Sequence, residues 1–131
     1  YYALAKTEME ISSIIEEGSR EFDYKKGGEK NKFSSIDASV PAHCNKGFDN
    51  EKAHGEWNTL ELICFQDTSL HIVNGKVVMA LFNSKYLNAD KAVVPLTKGK
   101  IQIQSEGAEA FYKNIQIKSV NKLPQVFKEQ L

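Results

Sequence analysis

Residues 55–81 read GEWNTLELICFQDTSLHIVNGKVVMAL, and the Asn74-Gly75 pair near the end of this stretch decides the fold. A two-residue hairpin turn needs φ > 0 at both central positions, which Asn and Gly tolerate best, so an Asn-Gly pair between apolar runs marks a hairpin. Closing the hairpin there sets Val73 opposite Lys76, Ile72 opposite Val77, His71 opposite Val78 and Leu70 opposite Met79. Successive side chains of a strand point to opposite faces. This register predicts an apolar face of Leu70, Ile72, Val77, Met79 and Leu81, and a mixed face of His71, Val73, Lys76, Val78 and Ala80. The first face must be buried, and function is expected on the second.

The same period-two pattern extends outward from the hairpin. Thr59 to Phe65 predicts a strand, followed by a turn at Gln66-Asp67-Thr68. Lys100 to Ser105 and Phe111 to Lys118 alternate strictly and predict two more, with Glu106 and Glu109 between them. Asn83 to Val94 reads as a connection rich in turn residues, and Phe33 to Val40 as a strand ended by Pro41. Near the start, Met9 and Ile11 alternate with Glu8 and Glu10 in an extended segment. Glu16 to Lys32 is dense in charge and interrupted by Gly18, Gly27 and Gly28, which predicts an exposed loop. Its Phe22 and Tyr24 either anchor the loop or cover a sugar. The tail from Asn121 predicts a short helix beginning near Pro124, with Val126, Phe127 and Leu131 on its apolar side. Short strands at intervals of roughly 8–12 residues predict an all-β sandwich. The expected organisation is one domain over residues 1–120 and a tail over 121–131.

Composition narrows the partner. The 131 residues carry 17 basic and 17 acidic side chains and no net charge. Nucleic-acid binders show a basic excess or stripe, and none is present. No apolar run approaches the roughly 20 residues that span a bilayer. The first residues, Tyr1-Tyr2-Ala3-Leu4, do not form a signal peptide. The two cysteines, Cys44 and Cys64, permit a disulfide but read better as two buried thiols.

The segments GEWNTLELIC, SLHIVNGKVV and PLTKGKIQIQSEGAEAFYKNIQIK occur in an order and spacing that resemble the 3-keto-disaccharide hydrolase domain. The resemblance is best over residues 56–118 and rests on three features. Trp57-Asn58 opens a strand, His71 stands just before Asn74-Gly75, and Gln104 is followed by Tyr112-Lys113-Asn114-Ile115. The resemblance implies a concanavalin A-like, jelly-roll β-sandwich that handles carbohydrate on its concave face in an extracytoplasmic setting, periplasmic or at the cell surface. Lys6 to Ile11 resembles the family's glutamate-bearing concave strand. Family domains are typically longer and begin with further strands upstream, so the resemblance implies either that N-terminal strands are missing or that this is a shortened relative.

Two chemistries are open to such a face. Glycoside cleavage uses two carboxyl groups, about 5–5.5 Å apart for retention or about 6.5–9.5 Å apart for inversion. A 3-keto sugar offers elimination instead, because the ketone acidifies the neighbouring C–H. That route needs a base and an electrophile for the enolate, and a divalent metal ion is one such electrophile. The candidate catalytic residues are His71, Glu10 and Glu106, with His71 the preferred base because an unperturbed pKa of about 6.5 suits proton transfer. Gln104, Glu8, Trp57 and Glu109 are the candidate sugar-binding residues. Each also has a plainer reading: a cross-strand histidine, a solvated strand face, acidic turn residues, a packed indole. The enzyme reading requires His71 and at least one of these glutamates to converge in one cleft; a non-catalytic carbohydrate-binding module requires only an exposed aromatic platform.

Overall fold

The computed structural model describes residues 3, 6–15, 21–105 and 107–131. Eight strands form one mixed sheet: β1 (Thr7–Ile14), β2 (Phe22–Tyr24), β3 (Glu29–Ser34), β4 (Cys44–Asn45), β5 (Leu60–Phe65), β6 (Thr68–Val73), β7 (Lys76–Leu87) and β8 (Val93–Pro95). The spatial order is β4-β2-β1-β7-β6-β5, with β3 paired to β1 and β8 paired to β7. All pairs are antiparallel except β2 with β4. One helical turn, α1 (Gln125–Lys128), follows Pro124. The chain is therefore all-β, consistent with a jelly-roll-like fold. Among the described residues, no helix is long and apolar enough to cross a membrane.

The hairpin forms at Asn74-Gly75, with φ of 47° and 79°. Its turn is held by amides. Asn74 donates its side-chain N–H to the Asn50 carbonyl at 2.7 Å and to Asn58 Oδ1 at 2.8 Å, and its Oδ1 accepts from the Thr59 N–H at 2.9 Å. Asn50 in turn donates to the Val73 carbonyl at 2.8 Å. Three asparagines thus tie the irregular segment before β5 to the tip of β6–β7.

The register beyond the tip departs from the regular ladder. Ile72 pairs with Val77 but His71 pairs with Met79, so Val78 is an extra residue in β7. A bulge of this kind places two residues opposite one and bends the strand. Leu70 and Ile72 consequently share a face with Ala80 and Val77, whereas Met79 and Leu81 join His71 and Ser69. The predicted sorting of Met79, Leu81 and Ala80 is reversed by that one residue. Both faces are buried at this point. Leu70, Ile72, Val77, Met79, Ala80 and Leu81 all belong to one core with Met9, Ile11, Phe22, Tyr24, Phe33 and Cys44.

Several other expectations change. The charged segment before Phe33 supplies β2 and β3, because its lysines alternate with Asn31 and Phe33 and so line one face of a strand. Phe22 and Tyr24 are buried, which makes them anchors. In contrast, 97–105 and 107–120 contain no strand. Asn114 takes φ of 56° inside the alternating run and Gly107 takes 68° before it, so no ladder forms. The apolar side chains there stay outside, up to 84% exposed at Ile117. The predicted connection at Asn83 is instead part of β7, which runs on to Leu87 and pairs with β8. In the tail, Leu123, Phe127 and Leu131 pack on the core, while Val126 is exposed. Gln130 reaches back to the hairpin, accepting from the Val77 N–H at 2.9 Å. Cys44 and Cys64 form no disulfide; Cys44 is buried with its Sγ 3.9 Å from Met79 Sδ, and Cys64 is exposed, not buried as expected.

Candidate functional site

β1 is the strand around which the polar groups collect, because it pairs with β2, β3 and β7. Its even-numbered residues Glu8 and Glu10 share one face, and their partners are known from the register. Glu10 pairs with Lys32 on β3 and Phe82 on β7; Glu8 pairs with Ser34 and Lys85. A second register shift lies between these pairs, across Asn83 and Ser84. Asn83 sits there with φ of 50°. Its side-chain N–H donates to Glu10 Oε1 at 2.9 Å, a hydrogen bond that is half-buried.

Lys30 completes this group. Its Nζ lies 2.9 Å from the centroid of the Phe82 ring, a cation–π contact. Partial burial draws the Lys30 ammonium below its usual range, against the opposing pull of the Glu10 carboxylate. Lys32 is engaged with Asp37 at 2.8 Å. A carboxylate fixed by one amide donor can accept a proton, and a partly desolvated ammonium on the same face of the sheet can stabilise negative charge on a substrate. Neither Lys30 nor Asn83 is conspicuous in the sequence. Lys30 lies in a charged run, and only its two-residue spacing to Lys32 hints at a strand face; Asn83 reads as a turn.

The other candidate residues are elsewhere. His71 is on the opposite face of the sheet from Glu10, because Glu10 aligns with Phe82, Ala80 and Leu70, and His71 with Met79. It is also two strands away, about 10 Å at the spacing of paired strands. The shared cleft expected for His71 with Glu8 or Glu10 is thus not formed, and the misplacement traces to the bulge at Val78. Burial lowers the pKa of His71 and keeps its imidazole neutral near neutrality. Trp57 precedes β5, three strands from β1, and is half exposed with Lys113 Nζ 3.8 Å from its ring. Nearby in sequence, Tyr112 donates its hydroxyl to the Gln104 carbonyl at 2.6 Å, and the Gln104 side chain is exposed. Glu109 is exposed, and Glu106 lies outside the described residues. His43 lies 3.2 Å from Glu21. Among the described residues, no three His, Cys, Asp or Glu side chains converge as a metal ligand set.

An all-β chain of this kind is consistent with the jelly-roll-like domain families. The model of one such family, described as the 3-keto-alpha-glucoside-1,2-lyase-like domain, matches residues 8–118, and the chain belongs to that family. Glu8 and Glu10 stand at the beginning of the match. Comparisons with curated proteins and with solved structures found no match.

Proposed function

We propose that this chain is an extracytoplasmic carbohydrate-active domain that cleaves a 3-keto-glycoside by elimination, with Glu10 as the base. The observation that carries this reading is the hydrogen-bonded Glu10 carboxylate with Lys30 on the same face of the sheet. The ketone at C3 acidifies the C2 proton. Glu10 takes that proton, the electron pair moves toward the C3 oxygen, and the Lys30 ammonium stabilises the enolate charge. Collapse of the enolate expels the C1 oxygen, which leaves with a proton as the free alcohol. Water adds to the unsaturated ketone in a later step, giving net hydrolysis. Glu10 and not His71 is the base in this reading, since the register sets His71 on the other side of the sheet.

The family supports a sugar as substrate, and the neutral net charge agrees with an uncharged one. The half-exposed Trp57 ring favours a second reading, a binding module without turnover. The test is incubation with methyl 3-keto-α-glucoside, following release of methanol, for the wild type, Glu10→Gln and His71→Gln. Loss of a general base lowers the rate by about 10²-fold or more, and that loss is expected for Glu10→Gln only. Equal rates in wild type and Glu10→Gln would remove Glu10 as the base. Sugar binding with no turnover in any of the three would favour the module.

A further inference from the structure

Asn83 occupies an unusual place. It is a non-glycine residue at φ of 50° in the middle of the twelve-residue strand β7. Positive φ is uncommon for any residue with a Cβ, and Asn is among the few that tolerate it. The irregularity coincides with the register shift opposite Glu8 and Glu10. Bulges next to functional sites re-aim a side chain that regular pleating would send elsewhere. Here the re-aimed group is a carboxamide, and what it meets is a carboxylate: Asn83 Nδ2 lies 2.9 Å from Glu10 Oε1.

Building on the assignment of Glu10 as the base, we infer that Asn83 is a positioning residue, held by the β7 bulge so that its amide fixes one Glu10 oxygen and leaves the other to receive the substrate proton. A carboxylate that accepts one strong donor is restrained in rotation and cannot turn both oxygens away from the sugar. The charged groups that face Glu10 are Glu8 on its own strand, Lys30 and Lys32 on β3, and Lys85 on β7. Asn83 adds a neutral donor hydrogen-bonded to Glu10, so its removal changes orientation without changing the charge around the site.

Two variants separate the backbone from the side chain. Asn83→Gly keeps the positive φ at no steric cost and deletes the amide. Asn83→Asp keeps the shape and tolerates the same φ, but replaces the donor by a second acceptor. The first readout is independent of turnover: the resonance of the Glu10 side-chain carboxyl carbon in carbon NMR at one fixed pH. Loss of the amide donor moves that resonance in Asn83→Gly and in Asn83→Asp alike. The second readout is kinetic, on methyl 3-keto-α-glucoside. In Asn83→Gly, kcat is expected to fall about tenfold at unchanged KM, because the base is misoriented only when the proton must move. A Glu10 carboxyl resonance that does not move in a folded Asn83→Gly protein overturns the inference. A resonance that moves while Glu10→Gln turns over normally upholds the contact and refutes the assignment of Glu10 as the base, so the two failures are told apart.

Discussion

Asn74 donates its side-chain amide to Asn58 Oδ1 at 2.8 Å, joining the tip of the hairpin to the residue that follows Trp57. The bond means that the turn is fixed from outside as well as by its own backbone. The Asn-Gly pair reads in sequence as a local turn signal, yet in the fold its side chain is also a long-range strut.

Replacing Asn74 by Gly should therefore cost about 1–3 kcal/mol of unfolding free energy, although Gly suits the turn at least as well. Replacing it by Ala should cost a further 1–2 kcal/mol or so, the penalty of a left-handed residue with a Cβ. Urea unfolding of both variants measures the difference. An Asn74→Gly protein as stable as the wild type would show that the strut contributes nothing.

His71 gives the acid side of the stability profile. Burial depresses its folded pKa, so the unfolded chain binds the proton more readily. No penalty exists above the unfolded value of about 6.5, and stability falls as pH drops below it. His71→Gln should flatten the loss of stability between pH 7 and pH 5 in thermal melts at stepped pH.

Cys44 gives the alkaline side. Burial pushes its thiol up to about 11 from an ordinary value near 9, so the folded state holds the proton more tightly. The stabilisation is fully present below pH 9 and is lost as pH rises toward 11, in total about 2–3 kcal/mol at 1.36 kcal/mol per pH unit. Cys44→Ala should remove that slope. In the native protein, a thiol reagent should label the exposed Cys64 well before Cys44.

Burial also ranks two apolar residues that look alike in sequence. Phe33 is 0% exposed and Ile117 84%. Phe33→Ala should cost about 3–5 kcal/mol, the usual range for emptying an aromatic site in a core. Ile117→Ala should change stability by less than about 0.5 kcal/mol. Comparable losses in chemical denaturation would mean that Ile117 is packed in solution.

Much of the fold is legible from period-two patterns. The hairpin, the preceding strand β5, the extended segment that becomes β1 and the Pro124 start of α1 can all be read from local residue order. What local order does not reveal is pairing. Lys100 to Ser105 alternates as well as β6 does, but a strand exists only where a neighbour satisfies its backbone, and none is formed there. The charged run before Phe33 hides β3 because hydrophobic content was the wrong signal for a strand with a solvated face. The candidate site was half legible for a similar reason. Glu8 and Glu10 stand out as an alternating pair, whereas Lys30 and Asn83 reach Glu10 only through β3 and through a bulge. A regular ladder past Ile72 would set His71 on the Glu10 side of the sheet, and the bulge at Val78 sets it on the other.

β7 carries both register shifts, one at Val78 and one at Asn83–Ser84, and their combined arithmetic has a genetic consequence. On the Glu10 side of the sheet the strand presents an odd-numbered residue at Val77, even-numbered ones at Ala80 and Phe82, and an odd-numbered one again at Lys85. The second shift restores the parity that the first one broke. Each shift is one extra residue in β7, so losing one codon at either place would make the ladder regular there and keep every later residue on its present face, whereas losing one elsewhere in the strand would slip the register. Single-residue deletions in β7 should thus be better tolerated by the fold at Val78 and at Asn83–Ser84 than anywhere else in the strand.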